Sequence, residues 1–296
     1  MRLFGNHLAW DKGMNKELET AIQTAGDLPT IPVVATKVMQ LCESENATAE
    51  ELARIVASDP AVAARVLKIS NSAYYGCQRQ IQSLSVAIVI LGFNTLKSIV
   101  VAASVKQVYK PFGLTEQMLW QHSFGAGLAA RIIAQNTRMA NQEEAFLAGL
   151  FHDIGKIIMN NLDRDKFQLA IQRCYNEYIT FEEAEKSFFP YSHEEVGAYV
   201  IKKWNFPETL FKAVMQHHKL LFADQEELAQ VYLTAVVSLA DMFCKRFGVG
   251  IRDPMEDIDI IGSKAARILK LDGERLEHLL ETFSAAYEKD KHFFSA

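Results

Sequence analysis

Several histidines and aspartates stand at positions where helical spacing turns them toward a protein interior. His122 lies four residues after Met118 and four before Ala126, which places it on the apolar face of a predicted helix. A single buried histidine is more often a hydrogen-bonded core residue than a ligand. His122 therefore gains significance only if other polar groups converge on it.

A histidine–aspartate pair interrupts the otherwise apolar stretch 145–159. The pair is His152-Asp153, and Lys156 follows it within one helical turn. On the continuous helix predicted over 142–160, the three side chains share one side. Burying an imidazole, a carboxylate and an ammonium together requires that they compensate one another or bind a further group.

A third candidate, His193, falls in the first turn of a predicted helix. Ser192 and Glu195 have the spacing of a capping box, in which side chains and backbone amides at a helix start bond reciprocally. The positive end of the helix dipole disfavours an imidazolium at this position. We therefore expect His193 to be neutral, which is the form of histidine that binds metals.

The remaining candidates lie on two later helices. His217 and His218 end one helix, and because adjacent helical residues point about 100° apart, they could serve two ions, or one ion and one ligand. Asp241 is the only charged residue between Glu227 and Lys245. A carboxylate on so apolar a helix is costly to bury unless a cation or a metal pairs with it.

Each of these residues has a simpler explanation when it is taken alone. A histidine at a helix end often complements the helix dipole, and an aspartate can cap a kink or pair with a lysine. A metal site would satisfy all of them together. Nitrogen and oxygen ligands without thiolate favour Fe, Mn, Zn or Ni, as one or two ions. Two carboxylates neutralise one divalent ion, and two ions leave a net charge of about +2, which suits an anionic phosphate.

Composition excludes several functional classes. The 296-residue chain has a formal net charge of −5 and a pI near 5.9, so it has no general attraction to nucleic acid or to a membrane surface. Four widely separated cysteines form no CxxC pair, which indicates buried free thiols in the reducing cytoplasm. The N-terminal segment lacks the apolar core of a signal peptide. The most apolar stretch, 86–105, contains Asn94 and Lys97 and is expected to form two buried helices.

Helical periodicity dominates the chain and predicts an all-α fold. Residues 1–112 form a first part without candidate ligands, residues 113–248 carry the candidate set, and residues 249–296 form a helical tail. We expect the first two parts to pack as one continuous body. The predicted helices span residues 33–42, 49–57, 61–69, 84–91, 94–109, 115–135, 142–160, 164–177, 193–204, 207–217, 226–247, 263–269 and 273–289.

The order of these residues resembles the HD superfamily of metal-dependent phosphohydrolases, in which a histidine is followed by His-Asp, further histidines and a final aspartate. LAGLFHDIGK at 147–156 looks like the signature helix of that superfamily. The first half is similar to the HDOD family, and the resemblance extends from about residue 20 to about residue 245. The segments that carry it are LPTIP at 28–32, IVASDP at 55–60, VLKISNSAYYG at 66–76 and SLSVAIVILG at 83–92.

The resemblance implies an HD-domain-like helical bundle with an additional N-terminal helical layer, in a family of bacterial regulatory modules. It also implies a ligand set. One ion would be held by His122, His152, Asp153 and Asp241, and a second, bridged by Asp153, by His193 with His217 or His218. Asp153 and Lys156 would be the catalytic residues of an active member, with Lys156 placed to steady a phosphate.

The HD-GYP phosphodiesterases of cyclic dinucleotides are the nearest enzymatic relatives of this pattern, but their own motif is incomplete here. Residues 216–219 read QHHK without a following glutamate, and residues 220–226 read LLFADQE in place of a DGxGYP segment. The sequence therefore gives little support to hydrolysis of cyclic-di-GMP.

Three functional hypotheses follow from the sequence. The first is a regulatory HDOD module that binds protein signalling partners, with or without a ligand, and whose metal site is structural or vestigial. The second is a metal-dependent phosphohydrolase or phosphodiesterase that acts on a nucleotide-like phosphate ester. The third is an oxygen-using di-iron enzyme on the same scaffold.

Overall fold

The computed structural model describes residues 16–24, 32–42, 47–72, 75, 80–109 and 113–294, and every regular element among them is helical. The predicted all-α class is therefore confirmed. The N-terminal helices are α1 (Lys16–Thr24), α2 (Val33–Cys42), α3 (Ala49–Ala57), α4 (Pro60–Ser70), α5 (Leu84–Leu91) and α6 (Phe93–Val105), which continues as a 3-10 turn, Lys106–Tyr109. The later helices are α7 (Leu114–Thr137), α8 (Gln142–Phe151), α9 (Ile154–Leu162), α10 (Arg164–Glu177), α11 (Phe181–Glu185), α12 (His193–Lys203), α13 (Glu208–Gln216), α14 (Leu228–Phe247), α15 (Lys264–Ile268) and α16 (Gly273–Phe294).

Local sequence signals fix where the N-terminal helices begin. Thr48 and Glu51 form a capping box at the start of α3. Asp59 accepts hydrogen bonds from two amides of the first turn of α4, where Pro60 stands at a position that needs no backbone donor. Because these signals are local, the predicted bounds of both helices lie within one residue of the observed ones.

The prediction that both apolar helices of the stretch 86–105 are buried is wrong for α5. Val89 and Ile90 of α5 are 85% and 51% exposed, whereas α6 is buried along most of its length. Helix α5 packs against α3, α4 and α6 and leaves its other side to solvent. Mean hydropathy does not reveal how many sides of a helix its neighbours cover.

Helix α7 is the central element of the second part and packs against α8, α14 and α16. The crossing with α8 is close, because a Cβ on Gly149 would lie 2.5 Å from the carbonyl oxygen of Ala126. Buried apolar side chains join into one cluster that reaches from Leu18 in α1 to Phe283 in α16. This shared core crosses residues 112 and 248, so the part boundaries drawn there remain predictions.

The continuous helix predicted over 142–160 is wrong, because the chain breaks into α8 and α9 at His152-Asp153. Asp153 leaves the helical region with φ −105° and ψ 14° and becomes the N-cap residue of α9. The amide of Lys156 then donates to the carbonyl oxygen of Asp153 at 2.9 Å. The break places the His-Asp pair at a junction between two helices.

Helix α14 is the one described helix that is long and apolar enough to cross a membrane by length and composition alone. However, 61% of its most apolar window is buried inside the protein. It also carries Asp241, which is buried, and Lys245. We therefore assign α14 to the core of the fold.

Two of the four cysteines can be compared with the prediction of free thiols. Cys174 is half-buried and Cys244 is buried, and both are free. The side chain of Cys42 and all of Cys77 lie outside the described residues, as do most of the segment 28–32 and part of the segment 66–76.

The contact between α9 and α12 yields a test of the fold. A Cβ on Gly155 would lie 1.9 Å from the carbonyl oxygen of His193, so the two helices would have to separate. We expect Gly155→Ala to lower the free energy of unfolding by about 2 kcal/mol or more, as overpacking does. Urea unfolding followed by circular dichroism measures this change.

Gly273→Ala is the matched control, because the nearest atom to its added Cβ is 4.0 Å away. We expect the control to stay within about 0.5 kcal/mol of the wild-type stability, as surface substitutions usually do. Equal stability of both variants would show that α9 and α12 are not packed as described.

Candidate metal centre

All seven metal ligands predicted from the sequence converge in one place. They come from α7, the α8–α9 junction, the start of α12, the end of α13 and the middle of α14. Six of them are at most 4% exposed, and the seventh, His218, is partly buried. The seven residues are His122, His152, Asp153, His193, His217, His218 and Asp241.

The carboxylate of Asp153 lies at the centre, with one oxygen toward each half of the cluster. Its Oδ2 atom is 3.5 Å from Nε2 of His122 and 3.4 Å from Nε2 of His152. Its Oδ1 atom is 3.3 Å from Nε2 of His193 and 3.7 Å from Nε2 of His217. Ligand atoms within 4.8 Å of one another form the same two groups, which share Asp153, and His218 joins the second.

Asp241 completes the first half of the cluster. Its Oδ1 atom lies 3.1 Å from Nε2 of His122 and 3.8 Å from Nε2 of His152. Its Oδ2 atom lies 3.8 Å from Nδ1 of His218. The two halves of the cluster are therefore in contact through Asp241 as well as through Asp153.

Backbone carbonyl oxygens determine which ring nitrogen of each histidine carries the proton. Because a carbonyl oxygen only accepts, the imidazole nitrogen bonded to it must be N–H. Three histidines donate in this way through Nδ1: His122 to Val249 at 2.9 Å, His152 to Gly149 at 2.7 Å and His217 to Val214 at 2.7 Å. In their neutral form, these rings present the Nε2 lone pair to the centre.

This arrangement fits a metal ion, because the lone pairs of the histidine nitrogens face the lone pairs of the aspartate oxygens. Nε2 of His122 and Oδ1 of Asp241 lie 3.1 Å apart, and neither has a hydrogen to share when the imidazole is neutral. Nε2 of His152, Oδ1 of Asp153 and Nε2 of His217 are buried without a hydrogen-bond partner. A cation at the centre would satisfy these acceptors, and N–H bonds to carbonyls are the usual outer support of metal-binding histidines.

Two lysines supply positive charge at the edge of the cluster. Nζ of Lys156 lies 2.6 Å from Oδ2 of Asp153, and Nζ of Lys245 lies 2.6 Å from Oδ2 of Asp241. Burial raises the pKa of Asp153, but His152 and Lys156 outweigh it and hold that pKa well below its usual range. Burial also raises the pKa of Asp241, but the neighbouring groups, Lys245 above all, hold that pKa well below its usual range. Both carboxylates are therefore ionised at neutral pH.

The role of Lys245 was foreseen only as an alternative in which Asp241 pairs with some lysine. The spacing of four residues along α14 is the sequence signal that could have identified the partner. Lys156 remains beside Asp153 despite the helix break, because the first turn of α9 brings its ammonium group back over the carboxylate.

The expectation that the helix dipole keeps His193 neutral is wrong in direction. Ser192 and Glu195 do form the predicted capping box, and His193 lies in the first turn of α12. Burial lowers the pKa of His193, but the carboxylate of Glu185 more than offsets this and raises it. Glu185 lies on α11, a five-residue helix absent from the prediction, although Thr180 and Glu183 form its capping box.

The rings of His217 and His218 lie close together, with centroids 3.9 Å apart, and both offer a ring nitrogen to the second half of the cluster. His217 faces Asp153, whereas Nε2 of His218 lies 3.1 Å from Nε2 of His193. Burial, followed by the neighbouring His217 and Lys245, lowers the pKa of His218 well below its usual value. His218 is thus neutral and can offer a lone pair to the second half of the cluster.

The all-α fold and the buried cluster of five histidines and two aspartates agree with the resemblance to HD-type domains found in the sequence. A family model described as the HDOD domain matches residues 28–220 of this chain. The chain belongs to the HDOD family.

Solved structures confirm the fold. An HDOD domain protein of unknown function from Geobacter sulfurreducens is 23% identical with a TM-score of 0.76, and the match covers 95% of this chain and 96% of that one. A protein provisionally named a phosphohydrolase, from Shewanella amazonensis SB2B, is 21% identical with a TM-score of 0.72 over 93% and 96% of the two chains. A protein provisionally named a signal transduction protein, from Marinobacter aquaeolei VT8, is 20% identical with a TM-score of 0.71 over 99% and 67%.

Sequence comparison adds an uncharacterised protein of Treponema pallidum (strain Nichols). It is 21% identical over an alignment 230 residues long, and the alignment covers 73% of this chain and 42% of that protein. The chain thus matches less than half the length of this curated relative.

The convergence of lone pairs predicts that the protein binds a divalent metal. We expect stoichiometric metal in protein purified without chelator or affinity-column metal, and we expect a lower melting temperature after chelation. The double variant His152→Ala/Asp153→Ala should lose both the metal and the effect of the chelator. Elemental analysis and thermal melting measure these outcomes.

His278→Ala is the control, because this histidine is exposed on α16. It should keep the wild-type metal content. A double variant that binds as much metal as the wild type would mean that the buried residues form a polar network rather than a metal site.

Proposed function

We propose that this chain is a regulatory HDOD protein that keeps an HD-type metal site, and that the site serves structure or switching rather than rapid turnover. The observation that supports this proposal is the closure of the site. Six of the seven proposed ligands are at most 4% exposed, and a lysine covers each aspartate. Sites whose ligands are enclosed by protein are typical of structural metals, whereas catalytic sites keep an open position.

Family membership agrees with a regulatory role. The Marinobacter relative carries the name of a signal transduction protein, and its fold covers 99% of this chain. We therefore propose that the protein acts through protein signalling partners. In such a protein, metal binding would change the stability of the helices that meet at the site.

The charges around the cluster favour at least one divalent ion. Five carboxylates and three lysines lie around the histidines, which leaves a formal charge of −2 when the histidines are neutral. One divalent ion neutralises this charge, and a second would leave about +2, which a phosphate-containing ligand could offset. The carboxylates are Asp153, Asp241, Glu182, Glu185 and Glu194, and the lysines are Lys156, Lys219 and Lys245.

The residues of the chain have separate tasks in this proposal. The carbonyl oxygens of Val249, Gly149 and Val214 hold three rings so that Nε2 faces inward. Asp153 connects the two halves of the ligand set. A bound divalent ion would act as a Lewis acid that holds these helices together and attracts an anionic ligand.

A metal-dependent phosphohydrolase is the second candidate, and the position of Lys156 favours it. The ammonium group of Lys156 lies beside Asp153 and 5.1 Å from the ring centroid of Phe181, so it is held within the site. The ammonium group could steady a phosphate there if it moved away from Asp153. This is the role that the family resemblance implies for Lys156 in an active member. The relative from Shewanella is provisionally named a phosphohydrolase, which fits this alternative.

A turnover assay separates the two candidates. The regulatory proposal predicts that protein loaded with Mn²⁺ or Zn²⁺ hydrolyses neither phosphate monoesters nor diesters faster than the Asp153→Ala variant. Release of p-nitrophenol from mono- and bis-(p-nitrophenyl) phosphate measures this rate. Metal-dependent hydrolysis that disappears in Asp153→Ala would reject the regulatory proposal in favour of the enzyme.

The lysine on Asp241 provides a second test, because it competes with a metal for the same carboxylate. We expect Lys245→Met to bind Zn²⁺ about tenfold more tightly, since a hydrogen bond between charged groups contributes roughly 1.5–3 kcal/mol. The same variant should be less stable in chelator, because the charge of Asp241 is then buried without its partner. Competition with a chromophoric chelator gives the affinity, and thermal melting gives the stability.

Arg246→Met is the control, since it removes a positive charge from the adjacent position of α14. We expect it to leave the zinc affinity nearly unchanged. An equal effect of both substitutions would show that net charge, and not the contact with Asp241, controls binding.

A further inference from the structure

Helix α11 lies directly against the second half of the proposed metal site. Phe181 at its start packs on the ring of His193, with centroids 5.9 Å apart, and lies beneath the ammonium group of Lys156. Glu182 and Glu185 stand three residues apart, so they share a face of this short helix. Oε2 of Glu182 lies 4.0 Å from Nδ1 of His218.

Glu185 holds His193 at two points. Its Oε2 atom accepts a hydrogen bond from the backbone N–H of His193 at 3.0 Å. Both of its oxygens also lie within 3.1 Å of Nδ1 of the same residue. The first contact satisfies a free donor at the start of α12, and the second fixes the ring.

The contact between the Glu185 carboxylate and Nδ1 of His193 determines which ring nitrogen faces the site. A carboxylate at Nδ1 stabilises the proton there, so Nε2 is left to face Oδ1 of Asp153 at 3.3 Å and His218 at 3.1 Å. At His193 a side-chain carboxylate bonds to Nδ1. At His122, His152 and His217, Nδ1 donates to a backbone carbonyl oxygen instead.

Glu185 is the nearest carboxylate to Nδ1 of His193. Glu185 and His193 are both 0% exposed, so bulk solvent does not compete for this contact. Glu194 lies nearby, with Oε2 3.6 Å from Nδ1 of His193, but it lies beyond hydrogen-bond distance and contacts Lys219 instead. Glu185 is therefore the group that fixes the ring.

We propose that Glu185 is a positioning residue that orients His193 as a metal ligand, and that α11 places Glu185 against His193. The proposal rests on the metal-binding function proposed above. It extends that function to a residue outside the seven predicted ligands and to a helix that carries none of those seven. Loss of a carboxylate that supports a metal-binding histidine typically weakens metal binding 10–100-fold, as an order of magnitude.

The test measures Zn²⁺ binding and the protonation of the His193 ring in the same protein. ¹⁵N-labelled full-length chain is titrated with Zn²⁺, and the ring signals of His193 are followed by NMR in the wild type and three variants. We expect the wild-type ring to keep its Nδ1 proton throughout the titration and to shift at Nε2 on zinc binding. In Glu185→Ala, we expect a mixture of tautomers and a zinc affinity at His193 that is roughly 10–100-fold lower.

Two further variants separate positioning from folding. Glu185→Gln keeps an oxygen that can accept from Nδ1–H but loses the charge, so its zinc affinity should lie between those of the wild type and the alanine variant. Glu183→Gln makes the same charge change on the exposed side of α11 and keeps a capping residue at that position. We expect it to match the wild type in both measurements.

The possible results distinguish this proposal from the one on which it rests. A wild type that binds no zinc would overturn the metal site and the role of Glu185 together. A wild type that binds zinc, with equal affinity and an unchanged tautomer in Glu185→Gln and Glu185→Ala, would overturn the role of Glu185 alone. Equal weakening by Glu183→Gln would also overturn it, because α11 would then act through its stability.

Discussion

The site depends on the hydrogen bonds that hold Nδ1 of four of its histidines, which are His122, His152, His193 and His217. Once a carbonyl or carboxylate oxygen accepts from Nδ1–H, the neutral ring can present only a lone pair at Nε2. At the centre, these lone pairs face the oxygens of Asp153 and Asp241 at 3.1–3.8 Å. Hydrogen-bond acceptors that face one another in a buried space repel, so the side chains at this centre are stabilised only when positive charge lies among them.

Lysines and a metal ion are two possible sources of this positive charge. Lys156 and Lys245 each lie 2.6 Å from an aspartate oxygen, but neither satisfies Nε2 of His152 or His217. A divalent ion would reach these atoms, although it would share the carboxylates with the ammonium groups. Metal binding and lysine placement would therefore be linked, so that whatever moves the lysines would change the metal affinity. Such linkage suits a regulatory protein, because a partner that shifts α9 or α14 would act on the metal without touching it.

Sequence reasoning succeeded where the signal is local and failed where it depends on a neighbour. The capping box at Ser192 and the inward face of His122 follow from spacing alone, and both are present in the structure. The exposed side of α5 and the raised pKa of His193 depend on which helices lie opposite, and periodicity does not contain that information. Helix α11 was missed because five residues are too few for a periodic pattern, so a capping signal was the sole local indication.

The break at the His-Asp pair shows how the fold resolves a geometric conflict. On the continuous helix that the sequence predicts, Asp153 would keep helical backbone angles between His152 and Lys156. The departure of Asp153 from helical backbone, together with the close approach of Gly155 to α12, lets its two oxygens face His152 and His193 separately. The apolar sequence around the pair favours a helix, so the site is formed at the expense of local helical continuity. Conflicts of this kind between local preference and tertiary structure are expected at functional positions.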